Sequence, residues 1–234
     1  MNFKKIITGL VLSMLLSTGM AVAADFSKGL QAAQSGDFKT ALAVWTPLAE
    51  QGNAMAQFNL GHMYANGYGV PENDKTAVKW FTKAAEQGLA EGQFNLGAMY
   101  DFGDGVPEND KTAVKWYTLA AEQGFAIAQR YLGVMYANGR GVPENDKTAV
   151  KWYTLAAEQG YAKGQYNLGT MYANGRGVPE NHKTAVKWYT LASYNGSEVA
   201  RENKDAVAKQ MTPADISAAQ DMSSRCLENN YRDC

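Results

Sequence analysis

"NLGHMYANGYGVPENDKTAVKWFTKAAEQG" (residues 59–88) is the most informative stretch of the chain, because nearly the same sequence returns 36 residues later. A period of 36 holds through four copies, in which Gly61, Gly97, Gly133 and Gly169, then Tyr64, Tyr100, Tyr136 and Tyr172, and then Pro71, Pro107, Pro143 and Pro179 coincide. A divergent copy precedes these four, with Ala41 and Gly52 in register with Ala77 and Gly88. Such self-similarity is the signature of stacked repeats. The sequence predicts five helical hairpins between about residues 25 and 196.

The first half of each copy reads as a short helix. Leu60, Met63 and Tyr64 recur at spacings that form one apolar stripe. Gly67 is suited to ending the helix, because glycine readily adopts the left-handed conformation of a C-cap. Pro71 then keeps the helix from resuming.

The second half reads as another helix with a cap at its start. Asparagine recurs just before it in every copy and can accept a hydrogen bond from the first turn; these residues are Asn73, Asn109, Asn145 and Asn181. The apolar stripe then comprises Ala77, Trp80, Phe81, Ala84 and Ala85. We expect the constant Trp and Tyr columns to lie in the core. Because one hairpin cannot bury its apolar face, the copies should stack, which predicts an all-α protein.

Two recurring runs resemble the Sel1-like repeat family, a relative of the tetratricopeptide repeat. They are "LG-x-x-Y-x-x-G-x-GV" from Leu60 to Val70 and "A-x-x-W-x-x-x-AA-x-x-G" from Ala77 to Gly88. The resemblance implies a right-handed α-solenoid used for protein–protein interaction, often as a scaffold or adaptor. We assign the repeats to residues 53–88, 89–124, 125–160 and 161–196.

The segments on either side of the repeats are predicted to cap the stack. Residues 24–52 form a divergent N-terminal hairpin with the short loop "SGD", and residues 197–234 form a helical C-terminal cap. Thr212 followed by Pro213 is typical of a helix start, with proline at the first helical position. A solenoid needs such polar-faced ends to remain soluble.

The first 23 residues have the features of a secretory signal peptide. Lys4 and Lys5 precede an apolar run from Ile6 to about Leu16, and Ala21-Val22-Ala23 forms a small-residue cleavage site. An uncleaved anchor is the alternative, but the run is short for a bilayer and no stop-transfer charges follow it. We predict a periplasmic or secreted protein, with no membrane insertion after cleavage.

Charge and cysteine content further restrict the functions that the protein can have. The chain has 22 Lys and Arg against 23 Asp and Glu, so it offers no basic footprint for nucleic acid. In an exported protein, Cys226 and Cys234 are predicted to form a disulfide, with two free thiols or a metal pair as alternatives. The bond should contribute about 2 kcal/mol, mostly to the C-terminal cap.

Nothing in the chain has the pattern of a catalytic or metal site. His62 and His182 lack a second ligand at metal-binding spacing, and the "NGYGV" loops are interpreted as turns. Asp101, Asp104 and Glu91 form an acidic cluster that we interpret as solvated surface. The sequence therefore predicts no catalytic residue, no cofactor and no metal, and a protein that is not an enzyme.

The columns that vary between copies suggest a binding surface. One column reads Phe58, Phe94, Arg130 and Tyr166; His62, Val134 and Thr170 lie one turn further on, and Phe102 lies a further turn on in the second copy. These positions share one helical face, which lines the concave groove in the tetratricopeptide fold that the repeats resemble. Arg140 and Arg176 are predicted to form a positive loop rim. A variable solvated face is the alternative, although exposed aromatic residues favour binding.

Three functions are consistent with this pattern. The leading prediction is an exported, monomeric, non-enzymatic scaffold that binds a protein or peptide in its groove. An inhibitor or immunity protein for a toxin is a variant of it. The alternative is a hydrolase acting on cell-wall material or β-lactams, an activity linked to cysteine-rich exported relatives. This chain lacks their regular cysteine pair in each repeat.

Overall fold

A computed structural model describes residues 25–231 and residue 234, and the predicted signal peptide lies outside these residues. Over the described range the chain forms twelve helices and no strand, which confirms the all-α prediction. None of the helices in this range combines the length and apolar character needed to cross a membrane.

The chain folds as two compact units. The first contains the residues up to Gly92 together with residues 104–107. Its helices are α1, described over residues 25–34, α2 (Phe38–Glu50), α3 (Ala54–Asn66) and α4 (Asp74–Glu86). Trp45 of α2 joins the first hairpin, because its ring stacks on Phe26 at 5.9 Å and its Nε1 donates a 3.3 Å hydrogen bond to the carbonyl oxygen of Phe26.

The second unit contains residues Gln93–Gly103 and Glu108–Cys234. Its helices are most of α5 (Ala90–Phe102), then α6 (Asp110–Glu122), α7 (Ala126–Asn138), α8 (Asp146–Ala157), α9 (Ala162–Asn174), α10 (His182–Tyr194), α11 (Glu198–Ala208) and α12 (Pro213–Glu228). From α6 to α11 each helix packs on the next, and α12 also packs on α10. The result is a run of helical hairpins, each formed by a first and a second helix.

The asparagine column caps the second helix of every repeat, as predicted. The side chain of Asn73 accepts a 2.9 Å hydrogen bond from the backbone nitrogen of Thr76, and Asn109, Asn145 and Asn181 make the same contact with the residue three positions on. Each cap satisfies a backbone donor that has no partner within the helix.

Two glycine columns have distinct structural roles, of which the first is the predicted C-cap. Gly67 ends α3 in the left-handed conformation, with φ +68. Gly133 lies inside α7, where a Cβ atom would be 2.5 Å from the ring of Tyr153 on α8. The absence of a side chain therefore allows the two helices of a hairpin to approach closely. Gly61, Gly97 and Gly169 face an aromatic ring in the same way.

The expectation that the Trp and Tyr columns are core is wrong for most copies. Trp188 is buried, but Trp80, Trp116 and Trp152 are only half-buried, as is every residue of the Tyr64 column. Trp188 differs because it shares an apolar cluster with Leu191 of α10 and Cys226 of α12. Packing of the C-terminal cap, and not the repeat itself, buries this side chain.

A ladder of buried glutamines links the hairpins. Gln129 of α7 is buried, donates from Nε2 to the carbonyl oxygen of Ala121 at 3.1 Å, and accepts at Oε1 from Gln159 at 2.8 Å. Gln57 and Gln165 donate in the same way to the carbonyl oxygens of Ala49 and Ala157, which lie at the end of the preceding copy. Each ladder residue therefore joins the end of one hairpin to the next.

Replacing Gln129 with leucine should destabilise the fold by about 1–3 kcal/mol, because the buried carbonyl of Ala121 loses its side-chain donor. Urea unfolding of the purified protein measures this loss. Gln159→Leu is the matched control: Gln159 is exposed, and water can replace it, so a much smaller loss is expected. Equal losses in the two variants would contradict a role for the buried glutamines in joining hairpins.

The C-terminal cap is closed by the predicted disulfide. Cys226 and Cys234 are bonded, with their Cα atoms 5.2 Å apart. The fold-back brings the main-chain oxygen of Cys234 to 2.5 Å from Nζ of Lys187, which is buried beneath the cap. Burial lowers the pKa of Lys187 to about 8. The equivalent Lys151, one repeat earlier, is exposed.

This buried lysine predicts a specific pH dependence of stability. The folded pKa of about 8 lies below the ordinary value of 10.5, so the unfolded chain binds more protons between these pH values. Stability should therefore rise with pH across this window. Lys187→Met should abolish that rise and increase stability at pH 7 by about 1 kcal/mol, because an aliphatic side chain carries no desolvation cost.

Thermal unfolding as a function of pH provides the test, with Lys151→Met as the control for titration of the other lysines. The control should keep the wild-type pH profile. Identical profiles for the two variants would show that Lys187 is not buried as an ammonium group.

Candidate functional site

The predicted binding column lies on the first helix of each repeat and is half-buried throughout. Its aromatic members pack on the second helix of their own hairpin. Ring centroids are 6.0 Å apart for Phe58 and Phe81, and 5.8 Å apart for Tyr166 and Tyr189. The aromatic side chains of the column therefore bury part of their surface within their own hairpin. Only the rest of that surface is available to a partner.

In the first unit the predicted residues border an apolar cavity. His62 is exposed and lines a cavity of about 300 Å³ together with Leu30, Phe38, Trp45 and Tyr68. Phe38 and Tyr68 stack at 4.8 Å and form one wall. The structure thus places His62 beside apolar side chains.

In the second unit Phe94 belongs to an aromatic cluster. Its ring lies 5.6 Å from Tyr117, 5.6 Å from Phe125 and 5.3 Å from Tyr131. Tyr117 is buried, whereas the other three are half-buried. Sequence reasoning missed both Phe125 and Tyr131. A signal was present for Tyr131, since the other copies have asparagine at this position: Asn59, Asn95 and Asn167.

Arg130 lies beside this cluster and makes no ion pair with any residue that the structure describes. Its guanidinium carbon is 4.9 Å from the ring centroid of Tyr131. Its Nε is buried and has no hydrogen-bond partner among the residues that the structure describes. A guanidinium in this position can bind an acceptor that the described residues do not supply.

Phe102 departs most clearly from the repeat pattern, because 60% of it is exposed. In the other copies this position is an asparagine, whose side chain donates to the carbonyl oxygen four residues earlier: Asn66, Asn138 and Asn174. In the second copy, phenylalanine replaces this local hydrogen bond with exposed apolar surface.

The adjacent Asp101 corrects the interpretation of the acidic cluster, because it is buried and not solvated. Its Oδ1 lies 2.7 Å from Nη2 of Arg140, and its Oδ2 accepts a 3.1 Å hydrogen bond from the hydroxyl of Tyr117. Burial and the Asp101 charge raise the pKa of Tyr117 far above its usual range. This network anchors the end of α5, where Phe102 is displayed.

Both predicted rim arginines make ion pairs with the preceding repeat. Arg140 reaches Asp110 at 2.5 Å, and Arg176 reaches Asp146 at 2.7 Å. Arg176 also donates to the carbonyl oxygen of Ala137 at 2.9 Å. These contacts connect consecutive repeats, and a place at the rim of a binding surface stays a prediction for both.

Val134 and Thr170 are half-buried on the same helical face. The hydroxyl of Thr170 lies 3.0 Å from the hydroxyl of Tyr189 and donates to the carbonyl oxygen of Tyr166. Val134 packs against the apolar cluster that α7 to α10 share with Cys226 of α12. Both side chains therefore mainly contact other residues of the chain, and they expose little surface on this helical face.

Across the described residues, no group of three or more His, Cys, Asp or Glu side chains is arranged to hold a metal ion. His182 begins α10, with its Nε2 3.3 Å from Glu180. The first helices of the second unit present side chains that are suited to contacts with another molecule: aromatic rings, the guanidinium of Arg130 and small polar groups.

A run of helical hairpins whose first helices carry the changing residues defines the α-solenoid class of repeat proteins. The Sel1 repeat model matches residues 54–89, 90–125, 126–161 and 162–197, which together exceed half of the 234 residues. The chain belongs to the Sel1 repeat family. No protein of curated function matches its sequence.

Solved structures agree with this assignment. A Sel1 repeat protein from Oxalobacter formigenes is 32% identical with a TM-score of 0.73, and the match covers 87% of this chain and 85% of that one. The protective antigen c5321 of uropathogenic Escherichia coli is 30% identical with a TM-score of 0.52, covering 82% of this chain and 49% of its own. The immunity protein Pa5087 of Pseudomonas aeruginosa, at 20% identity and TM-score 0.54 over 91% and 83% of the chains, shows likeness of fold alone.

Proposed function

We propose that the protein is an exported, non-enzymatic scaffold that binds a protein or peptide through the face of its first helices. In the second unit this first-helix face comprises Phe94, Phe102, Arg130, Val134, Tyr166 and Thr170. The disulfide between Cys226 and Cys234 supports export, because such bonds persist in oxidising compartments.

The exposure of Phe102 is the observation that carries the proposal. An asparagine at this position makes a local hydrogen bond in the other copies, so the repeat fold does not require phenylalanine here. The side chain is 60% exposed, and exposed aromatic residues are enriched at protein interfaces. Nearby, Arg130 and the Phe94 cluster add the residue types that dominate binding energy.

A function as an inhibitor or immunity protein would use this same surface. It differs from the scaffold function only in the partner, which would be a toxin. The hydrolase alternative has less support, because the first-helix face of the second unit has aromatic and small polar groups but no paired nucleophile and base. Nitrocefin and muropeptide assays on the pure protein separate the classes. Turnover that persists through purification would overturn the scaffold proposal.

The binding proposal is tested by affinity capture from the envelope fraction of the cells that make the protein. Wild-type chain and Phe102→Asn serve as parallel baits, and the enriched proteins are identified by mass spectrometry. We expect one partner to be enriched by the wild type and depleted with the variant. Asparagine restores the residue of the other copies, so a loss of capture cannot be attributed to misfolding. Equal capture by both baits would contradict a role for this face.

A further inference from the structure

Arg130 differs from the other arginines within the repeats because its charge has no partner in the described chain. Arg140 is paired with Asp101 at 2.7 Å, and Arg176 is paired with Asp146 at 2.7 Å. Arg130 is also half-buried, yet none of the ion pairs between described residues includes it. Partial burial of a charge is costly unless a counter-charge offsets it.

The surrounding first helices do not supply that counter-charge. Helices α7 and α9 contain no Asp or Glu, and the part of α5 in the second unit contains only Asp101, which Arg140 already binds. The exposed Lys163 of α9 adds a second positive charge. The first-helix face of this unit is therefore complementary to an anionic partner.

The guanidinium group of Arg130 lies beside aromatic rings. Tyr131 lies beneath it at 4.9 Å, and Phe94 packs on Tyr131 at 5.3 Å. Rings exclude water from one side of the cation, which strengthens its interaction with a counter-charge. The same rings offer apolar contact to whatever lies beside that counter-charge.

We propose that Arg130 binds the side-chain carboxylate of an Asp or Glu in an acidic peptide segment of the partner, with a neighbouring apolar residue packed on Phe94 and Tyr131. This inference rests on the proposed function and specifies the chemistry of the partner. The guanidinium fork matches a carboxylate in bidentate geometry. Arg130 is the cation that lies against the Tyr131 and Phe94 rings, and its single charge balances one carboxylate there, whereas a phosphate group of charge near −2 would need a second cation at the same rings.

The test is selection of random peptides displayed with their C-termini fused to the carrier, so that only side-chain carboxylates are available. The bait is the full chain without its predicted signal peptide. Arg130→Gln is the variant, and Arg225→Gln, at an exposed position of α12, is the control with the same change of charge. Wild-type and control baits should select peptides enriched at least threefold in Asp or Glu beside an apolar residue, whereas Arg130→Gln should not.

A selected peptide is then synthesised with an amidated C-terminus, together with versions in which its acidic residue is replaced by the amide or by phosphoserine. Calorimetry should show at least tenfold weaker binding of the amide version to the wild type, and no difference between the two on Arg130→Gln. The phosphoserine version should bind no more tightly than the carboxylate.

The experiments distinguish a failure of the carboxylate inference from a failure of the proposed function. Peptides selected without acidic residues, or an acidic preference that persists on Arg130→Gln, would overturn this inference and leave the proposed function standing. Tighter binding of the phosphoserine version, or of a peptide with a free C-terminus in place of the acidic side chain, would also overturn it. Selection of no peptide by any bait would overturn peptide binding itself and this inference with it.

Discussion

Replacing Gly133 with leucine is expected to lower the free energy of unfolding by about 3 kcal/mol. A Cβ atom at this position would lie 2.5 Å from Cε1 of Tyr153, well inside van der Waals contact. Tyr153 is buried, so its ring has no open space into which to move. The helical preference of leucine over glycine, about 1 kcal/mol, opposes the loss but is smaller.

A double-mutant cycle isolates this contact. Tyr153→Leu removes the ring and should itself destabilise the fold, because it creates a cavity. The double variant should be less destabilised than the sum of the single changes, since the leucine at residue 133 then gains space. Denaturant unfolding of the four proteins gives the coupling energy. Additive losses would mean that the glycine column does not set the approach of the two helices.

A large loss of partner affinity is expected when two residues of the first-helix face are changed together. The double variant Phe102→Asn with Arg130→Gln should weaken partner affinity at least tenfold while keeping wild-type stability. Neither side chain is needed for folding: Phe102 is 60% exposed, and Arg130 makes no ion pair among the described residues. Truncation of aromatic and arginine hot spots commonly costs 2 kcal/mol or more in binding.

The control variant, Leu119→Asn with Lys115→Gln, makes the same changes of chemistry on α6, a second helix. Leu119 is 43% exposed and Lys115 is exposed. Calorimetric titration with the captured partner should show an affinity near that of the wild type. A greater loss in the control would place the binding surface on the second helices. Melting temperatures measured in parallel confirm that both proteins remain folded.

Local structure was predictable because it depends on residues close in sequence. Asn73 caps α4 through a hydrogen bond to a residue three positions away, and Gly67 ends α3 through its own backbone conformation. The close approach at Gly61 was also predictable, because a glycine that recurs inside a helix needs a packing reason. The 36-residue period then determines that neighbouring hairpins repeat the same contacts.

Burial that depends on distant segments was not predictable from the period. Trp188 and Lys187 are buried while their equivalents one repeat earlier are not, because α12 packs on α10 at a place where no repeat follows. Asp101 was wrongly interpreted as solvated, because its partner Arg140 lies 39 residues later and reaches it only through stacking of consecutive hairpins.

The packing of the candidate site was not predictable from the sequence, and its role in binding stays a prediction. The column through Phe94 and Arg130 was identified from its variation between copies, yet its rings also support their own hairpins. Tyr131 lay outside the face chosen from sequence, although it is where an asparagine column changes to an aromatic residue. Departures from a constant column are therefore as informative as the variable columns themselves.

Site-specific photo-crosslinking shows whether the first-helix face of the second unit contacts the partner. A photoreactive phenylalanine analogue is placed at residue 102 in one protein and at residue 119 in another, and each is irradiated in the cells that make it. We expect one specific cross-linked partner from residue 102 and none from residue 119. Cross-linking of that partner from residue 119 alone, or equally from both residues, would contradict this expectation.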